Sequence, residues 1–197
     1  SITRFVLPEL PSGRLSADRL CPNHLRWKCS RHHNLRRFQR TVSSKLQMCR
    51  QRGQHLATAE SCTGGLVAAS LTAIAGSSDV VDRGFVTYSN AAKQDMLGVS
   101  IQSLDAFGAV SEQVAREMAQ GALANSQSQI AVSITGVAGP GGSDHKPEGR
   151  VCFGLAMQDA VTTCTIEFGA IGRENVRLAA VKFALCALKD GKLPKHD

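Results

Sequence analysis

The stretch Ala59-Glu60-Ser61-Cys62-Thr63-Gly64-Gly65 constrains the fold more than any other part of this chain. An apolar run from His55 to Ala59 leads into it, and Leu66, Val67, Leu71 and Ile74 leave it at helical spacing with small residues between them. That order reads as a strand, a tight turn and a helix start. At such a junction the first backbone N–H groups of the helix have no intrahelical partners, and they converge with the positive end of the helix dipole on one spot. Two consecutive glycines let a ligand approach the backbone closely. A hydroxyl and a thiol stand side by side there, so a nucleophile at this spot would meet a ready-made oxyanion or phosphate site.

The rest of the chain supplies partners for this unit. Residues 42–52 fit a helix stopped by Gly53, and Gly84–Tyr88 reads as a strand. Ser89 is placed to cap a helix from Asn90 to Leu97 with Gly98 as its stop. A short helix is expected near 101–107, and Ser111 caps a longer one carrying Val114, Met118, Ala122 and Leu123. Gln129–Ile134 reads as a buried strand that enters a glycine-rich loop running to Gly149. Arg150–Met157 and Val161–Phe168 read as a strand pair about Gln158-Asp159, and an apolar-striped helix with Val176, Ala180 and Phe183 closes the chain. Strands alternating with helices and then a hairpin predict a three-layer α/β/α sandwich with a mixed, mostly parallel sheet. In such sheets ligands sit beyond the carboxyl ends of strands. The loops after Ala59, Tyr88 and Ile134 are the ones expected there. Phe85, Met96 and Phe107 are read as core.

Charge divides the 197 residues unevenly. Residues 1–52 carry twelve Lys/Arg against two Asp/Glu, or +10, and residues 53–197 carry eleven against fourteen, or −3. The overall +7 is therefore a property of the leader, and nucleic acid is not an expected partner. Seven cysteines, an odd number, are scattered through a chain that is not small, which points to free thiols in a reducing compartment. The expected organisation is a basic, loosely ordered extension over 1–40, a single domain over 41–190 and a tail over 191–197. In the extension, Cys21-x2-His24 and Cys29-x2-His32 look like metal ligands, but only four residues separate the pairs. A basic, weakly folded segment is the stronger reading, with an organelle transit peptide as a minor alternative. No run is apolar and long enough to cross a membrane.

Four blocks taken together resemble the CinA carboxy-terminal domain family. They are Ala59–Gly65, Gly84–Asn90 with Lys93, Gly108-Ala-Val-Ser111, and Ser133–Pro140 with Lys146-Pro147. The resemblance spans roughly residues 42–190, in order and at the family's spacing. It implies hydrolysis of the carboxamide of nicotinamide mononucleotide to nicotinate mononucleotide and ammonia, in pyridine-nucleotide salvage. It also implies no metal or cofactor, a cytoplasmic setting and a homodimer. There are departures. The leader has no counterpart, the loop Gly139–Gly149 is about one residue shorter than is common in the family, and Arg150 stands where a small residue is usual.

Amide hydrolysis without a metal needs a nucleophile, a base and donors for the tetrahedral oxyanion. No His–Asp pair is placed for a triad. His55 starts a strand, where a structural role is expected, and His145 lies in the glycine loop as a minor candidate for a ligand contact. Lys93, in the first turn of its helix, is the better base. It must be neutral to act, so burial or a nearby positive charge has to lower its pKa. The resemblance points the same way, with Ser61 as nucleophile, Lys93 as base and Tyr88 as helper. Cys62 remains a chemical rival, since a thiol at a helix start tends toward thiolate. The backbone amides of Cys62, Thr63, Gly64 and Gly65 are the expected oxyanion donors, with Thr63 as an alternative helix cap. Glu60 is either a substrate contact or a structural acceptor. Thr135, Gly136, Gly139, Gly141 and Gly142 offer a backbone cradle for the nucleotide, and Lys146 and Arg173 are candidate phosphate partners. A catalytically silent nucleotide-binding or competence-associated module is the alternative function.

Overall fold

The structure, a computed structural model, describes residues 33–143, 146–158 and 160–193. The Cys21/His24 and Cys29/His32 pairs and His145 lie outside the described residues. The described residues from 37 onward make one compact unit. The elements in order are α1 (His33–Gln51), β1 (Leu56–Glu60), α2 (Leu66–Thr72), β2 (Val81–Val86), α3 (Asn90–Leu97), α4 (Ile101–Phe107), α5 (Glu112–Ala124), β3 (Ile130–Gly136), β4 (Arg150–Met157), β5 (Ala160–Glu167) and α6 (Arg173–Asp190).

The five strands form one sheet in the order β2-β1-β3-β4-β5. β1 pairs parallel with both β2 and β3, whereas β4 runs antiparallel to β3 and β5. Four strands therefore point one way and β4 is reversed, which is the mixed sheet that the hairpin about Gln158 predicts. β1 and β3 are buried on both faces. Leu56, Val132 and Ile134 pack with Leu46 of α1, Val67 and Leu71 of α2, and Val176 and Ala184 of α6. Ala57, Ala59 and Ala131 face the other way, onto Leu97, Leu104, Val114 and Met118 of α3, α4 and α5. The alternation along each strand makes three layers.

The local signals explain the helix limits. Ser89, Ser100 and Ser111 each accept an N–H from the first turn of α3, α4 and α5, at Ala92, Ser103 and Val114 respectively. Each such cap contributes about 1 kcal/mol. Gly98 ends α3 at a φ of 66°. Two further glycines set how closely the layers meet. A Cβ on Gly121 would stand 1.9 Å from the Leu97 carbonyl oxygen, and one on Gly154 would stand 2.5 Å from that of Ala115. α5 is thereby seated against α3 and against the sheet.

Three sequence readings shift. β2 starts at Val81 and ends at Val86, leaving Thr87 and Tyr88 to the loop. The helix read over 42–52 starts earlier, at His33. Phe85 is core, but Met96 and Phe107 are exposed. α3 turns Lys93 and Leu97 inward instead of Met96, and Phe107 is the last residue of α4.

Candidate active site

The carboxyl ends of β1, β2 and β3 lie side by side because these strands are parallel neighbours. Two backbone bonds tie the loops together: Ser61 N–H donates to the Ile134 carbonyl at 2.9 Å, and Thr87 N–H donates to that of Glu60 at 2.8 Å. The cleft beyond them is lined by Ser61, Cys62, Tyr88, Asn90, Lys93 and Arg173, with backbone-rich walls at Ala109, Val110, Thr135, Gly136 and Ala138.

At its floor, Lys93 Nζ lies 3.2 Å from Ser61 Oγ and donates to the Thr87 carbonyl at 2.9 Å. Ser61 is 8% exposed and Lys93 1%. Lys93 forms no ion pair with any described carboxylate. Burial pushes its amine below the ordinary lysine value of 10.5, and the Cys62 thiol only partly opposes this. A buried amine without a carboxylate favours the neutral form. In the neutral form Nζ would have a lone pair free for the Ser61 hydroxyl proton while one of its hydrogens holds the Thr87 carbonyl.

Cys62 borders the cleft but is buried. It packs within the core, and a Cβ on Gly136 would stand 3.1 Å from its Sγ. Burial pushes its thiol up to about 12. The thiolate expected at a helix start is disfavoured, because the cost of burying the charge outweighs the pull of its own backbone N–H and of Arg177.

Glu60 is a structural acceptor. It is fully buried, and its carboxylate takes the N–H groups of Gly65, Val67 and Ala68 at 3.0, 3.0 and 2.8 Å. This carboxylate caps α2, so Thr63 does not: the Thr63 hydroxyl is buried with no partner among the described residues. The proposed oxyanion donors shrink accordingly. Gly65 N–H belongs to Glu60, and Gly64 N–H donates to the Ser61 carbonyl at 3.0 Å. Among the described residues, no carbonyl or carboxylate engages the amides of Cys62 and Thr63.

The structure separates the glycine-loop residues. Gly136 and Thr135 line the cleft, and the Thr135 hydroxyl is tied to the Ala109 carbonyl at 2.7 Å. Gly139, Gly141, Gly142 and Lys146 do not line it. Gly141 N–H donates to Glu148 at 2.7 Å, and a Cβ on Gly139 would run into the same carboxylate. An acid already inside the loop disfavours a phosphate there. Lys146 donates to the Phe107 carbonyl at 2.6 Å. Arg173 does reach the cleft, where it bridges the Gly139 carbonyl at 2.8 Å and the Tyr88 hydroxyl at 2.6 Å. Tyr88 is 60% exposed at the mouth and has no described bond to Lys93 or Ser61.

Two side chains escaped the sequence reading. Arg177 donates to the Cys62 and Thr63 carbonyls, both at 3.1 Å. Glu148 joins Gly141 to the Gly172 N–H at 3.2 Å. The four-residue step from Arg173 to Arg177 was the available signal for the first, since it places both on one face of a helix. His55 lies at the opposite end of β1 from Ser61. Among the described residues no group of three or more His, Cys, Asp or Glu is gathered to hold a metal ion, and no helix is long and apolar enough to cross a membrane.

Known proteins resemble this chain in sequence and fold. Residues 38–191 match the CinA C-terminal domain. Over 136 residues the chain is 54% identical to the nicotinamide-nucleotide amidohydrolase PncC of Enterobacter agglomerans, covering 68% of this chain and 82% of that protein. It is 50% identical over 140 residues to a CinA-like protein of Syntrophobacter fumaroxidans, covering 71% of this chain but only 33% of that longer protein. The crystal structure of the competence/damage inducible protein CihA from Agrobacterium tumefaciens, 49% identical, superposes with a TM-score of 0.74 over 77% of this chain and 93% of that one. A CinA superfamily protein from Escherichia coli, 39% identical, gives 0.74 over 77% and 88%. With the family match over residues 38–191 and these relatives in agreement, the chain belongs to the CinA C-terminal domain family.

Proposed function

We propose that the chain is an amidohydrolase that converts nicotinamide mononucleotide to nicotinate mononucleotide and ammonia, with Ser61 as nucleophile and Lys93 as base. The observation that carries this reading is the 3.2 Å approach of the Ser61 hydroxyl to a buried amine that has no described carboxylate partner. A binding module without turnover has no use for an amine kept away from water and from every described carboxylate. The name of the PncC relative supports the substrate.

The Ser61 hydroxyl gives its proton to Lys93 as its oxygen attacks the carboxamide carbon. The oxyanion that forms is received by the amides of Cys62 and Thr63. When the tetrahedral carbon collapses, the C–N bond breaks, Lys93 returns the proton to nitrogen, and ammonia leaves. The ester left on Ser61 is attacked by water, whose proton Lys93 takes in turn and passes back to the serine oxygen. Nicotinate mononucleotide is released. Among the described residues, Arg173 is the one permanently charged side chain on the cleft wall, and it is assigned to the phosphate, with Tyr88 orienting it. A role in pyridine-nucleotide salvage, a cytoplasmic setting and a homodimer belong to the same proposal, on the strength of the family.

The test is ammonia release from nicotinamide mononucleotide, with nicotinamide riboside as comparator and a chelator present. Release from the nucleotide alone, unchanged by chelation, is the expected result. Binding without release would favour the silent module instead.

A further inference from the structure

We propose that Arg177 is a positioning residue for the reaction: its guanidinium sets the two peptides after Ser61 and thereby aims the amide that receives the oxyanion. The inference rests on the Ser61/Lys93 reading. Arg177 reaches back from α6 to the turn between β1 and α2, and two of its nitrogens hold successive carbonyls, those of Cys62 and Thr63. A planar fork fixes two acceptors at once, which a single point charge does not.

The consequence follows from peptide geometry. In a trans peptide the carbonyl and the following N–H point in opposite directions. With the Cys62 carbonyl drawn toward α6, the Thr63 N–H is turned away from α6. The next N–H, that of Gly64, closes the turn on the Ser61 carbonyl. Thr63 N–H is left without a described carbonyl or carboxylate, on the peptide that joins the cleft-lining Cys62 to the fully buried Thr63. A cation on the carbonyl of the same peptide also polarises that N–H and strengthens it as a donor.

The surroundings leave this task to Arg177. The grip of Glu60 begins only at Gly65, and the Thr63 hydroxyl has no partner among the described residues. Gly64 adopts a φ of 60°, and a Cβ there would stand 3.2 Å from the Arg177 guanidinium, so this glycine serves both the turn and the approach of the arginine. Arg173, one helical turn earlier, lines the cleft, whereas Arg177 does not. Its charge therefore acts on the protein's own backbone and not on the substrate.

The test compares Arg177→Gln and Arg177→Lys with the wild type in the full chain. It reads ammonia release from nicotinamide mononucleotide, affinity for nicotinate mononucleotide, the pH profile of kcat and the melting temperature. Arg177→Gln is expected to lower kcat by about 10- to 100-fold, as the loss of a well-aimed oxyanion donor does. KM, product affinity and the midpoint of the pH profile stay close to wild type, and Arg177→Lys falls between. A folded Arg177→Gln protein with wild-type kcat, or one whose loss appears in KM, product affinity or the pH midpoint, would overturn the inference. If the Gln variant does not fold, Arg177→Lys decides by the same criteria. Ser61→Ala is run in parallel. No ammonia from the wild type would sink the functional reading itself. Ammonia lost in Ser61→Ala but unaffected in the Arg177 variants would sink only the role of Arg177.

Discussion

Ala68 donates its backbone N–H to the fully buried Glu60 carboxylate at 2.8 Å, so the acid of the turn is spent on the helix and not on a ligand. Glu60→Gln places an amide NH2 against backbone donors and loses the charge that complements the helix dipole. We expect a cost of about 1–3 kcal/mol, which a thermal melt would register as a fall of about 2–12 °C in a chain of this size. An unchanged melt would mean that the cap is dispensable.

Burial of Lys93 has a signed pH consequence. Its folded pKa lies below the ordinary 10.5, so between the folded and unfolded values the unfolded chain binds more protons and stability rises with pH. The rate of ammonia release rises through the same folded pKa, as the amine becomes neutral. Lys93→Met should abolish the rate and remove that part of the stability–pH slope. Urea titrations of both proteins at several pH values measure the slope.

The buried Cys62 thiol should be expendable for chemistry. Cys62→Ala is expected to keep kcat within about threefold, with a stability loss of about 1 kcal/mol for the small cavity. A collapse of kcat in a well-folded variant would return the thiol to candidacy as nucleophile.

Arg173 should act on the phosphate end of the substrate. Arg173→Ala removes a charge-assisted contact worth about 1.5–3 kcal/mol, a rise in KM of about 10- to 100-fold, with kcat less affected. Tyr88→Phe, which removes the hydroxyl that Arg173 donates to, should also move KM more than kcat. A Tyr88 variant that lost mainly kcat would assign the hydroxyl to proton transfer.

The helices capped by serine were legible residue by residue, because Ser89 and Ser111 act on their own following turn and need no tertiary partner. The pairing of Ser61 with Lys93 was legible through a combination of motifs. The fates of Glu60, Cys62 and the glycine loop were not. From sequence, Glu60 could face either way across the turn, and the burial that raises the Cys62 pKa places its thiol beside Gly136, far along the chain. Glu148 takes the Gly141 N–H, seven residues away in a loop whose path no periodicity describes. Arg177 grips carbonyls 115 and 114 residues back in the chain, a contact that only the packing of α6 creates.

The account stands on a serine hydroxyl made nucleophilic by a neutral, buried amine. Its most direct measurement is the single-turnover appearance of the acylated chain by intact mass, with nicotinamide mononucleotide, in the wild type, Ser61→Ala and Lys93→Met. The expected result is an adduct matching the nucleotide acid ester in the wild type, absent from Ser61→Ala and formed at least about a thousandfold more slowly in Lys93→Met. Undiminished acylation or ammonia release in either variant would contradict it.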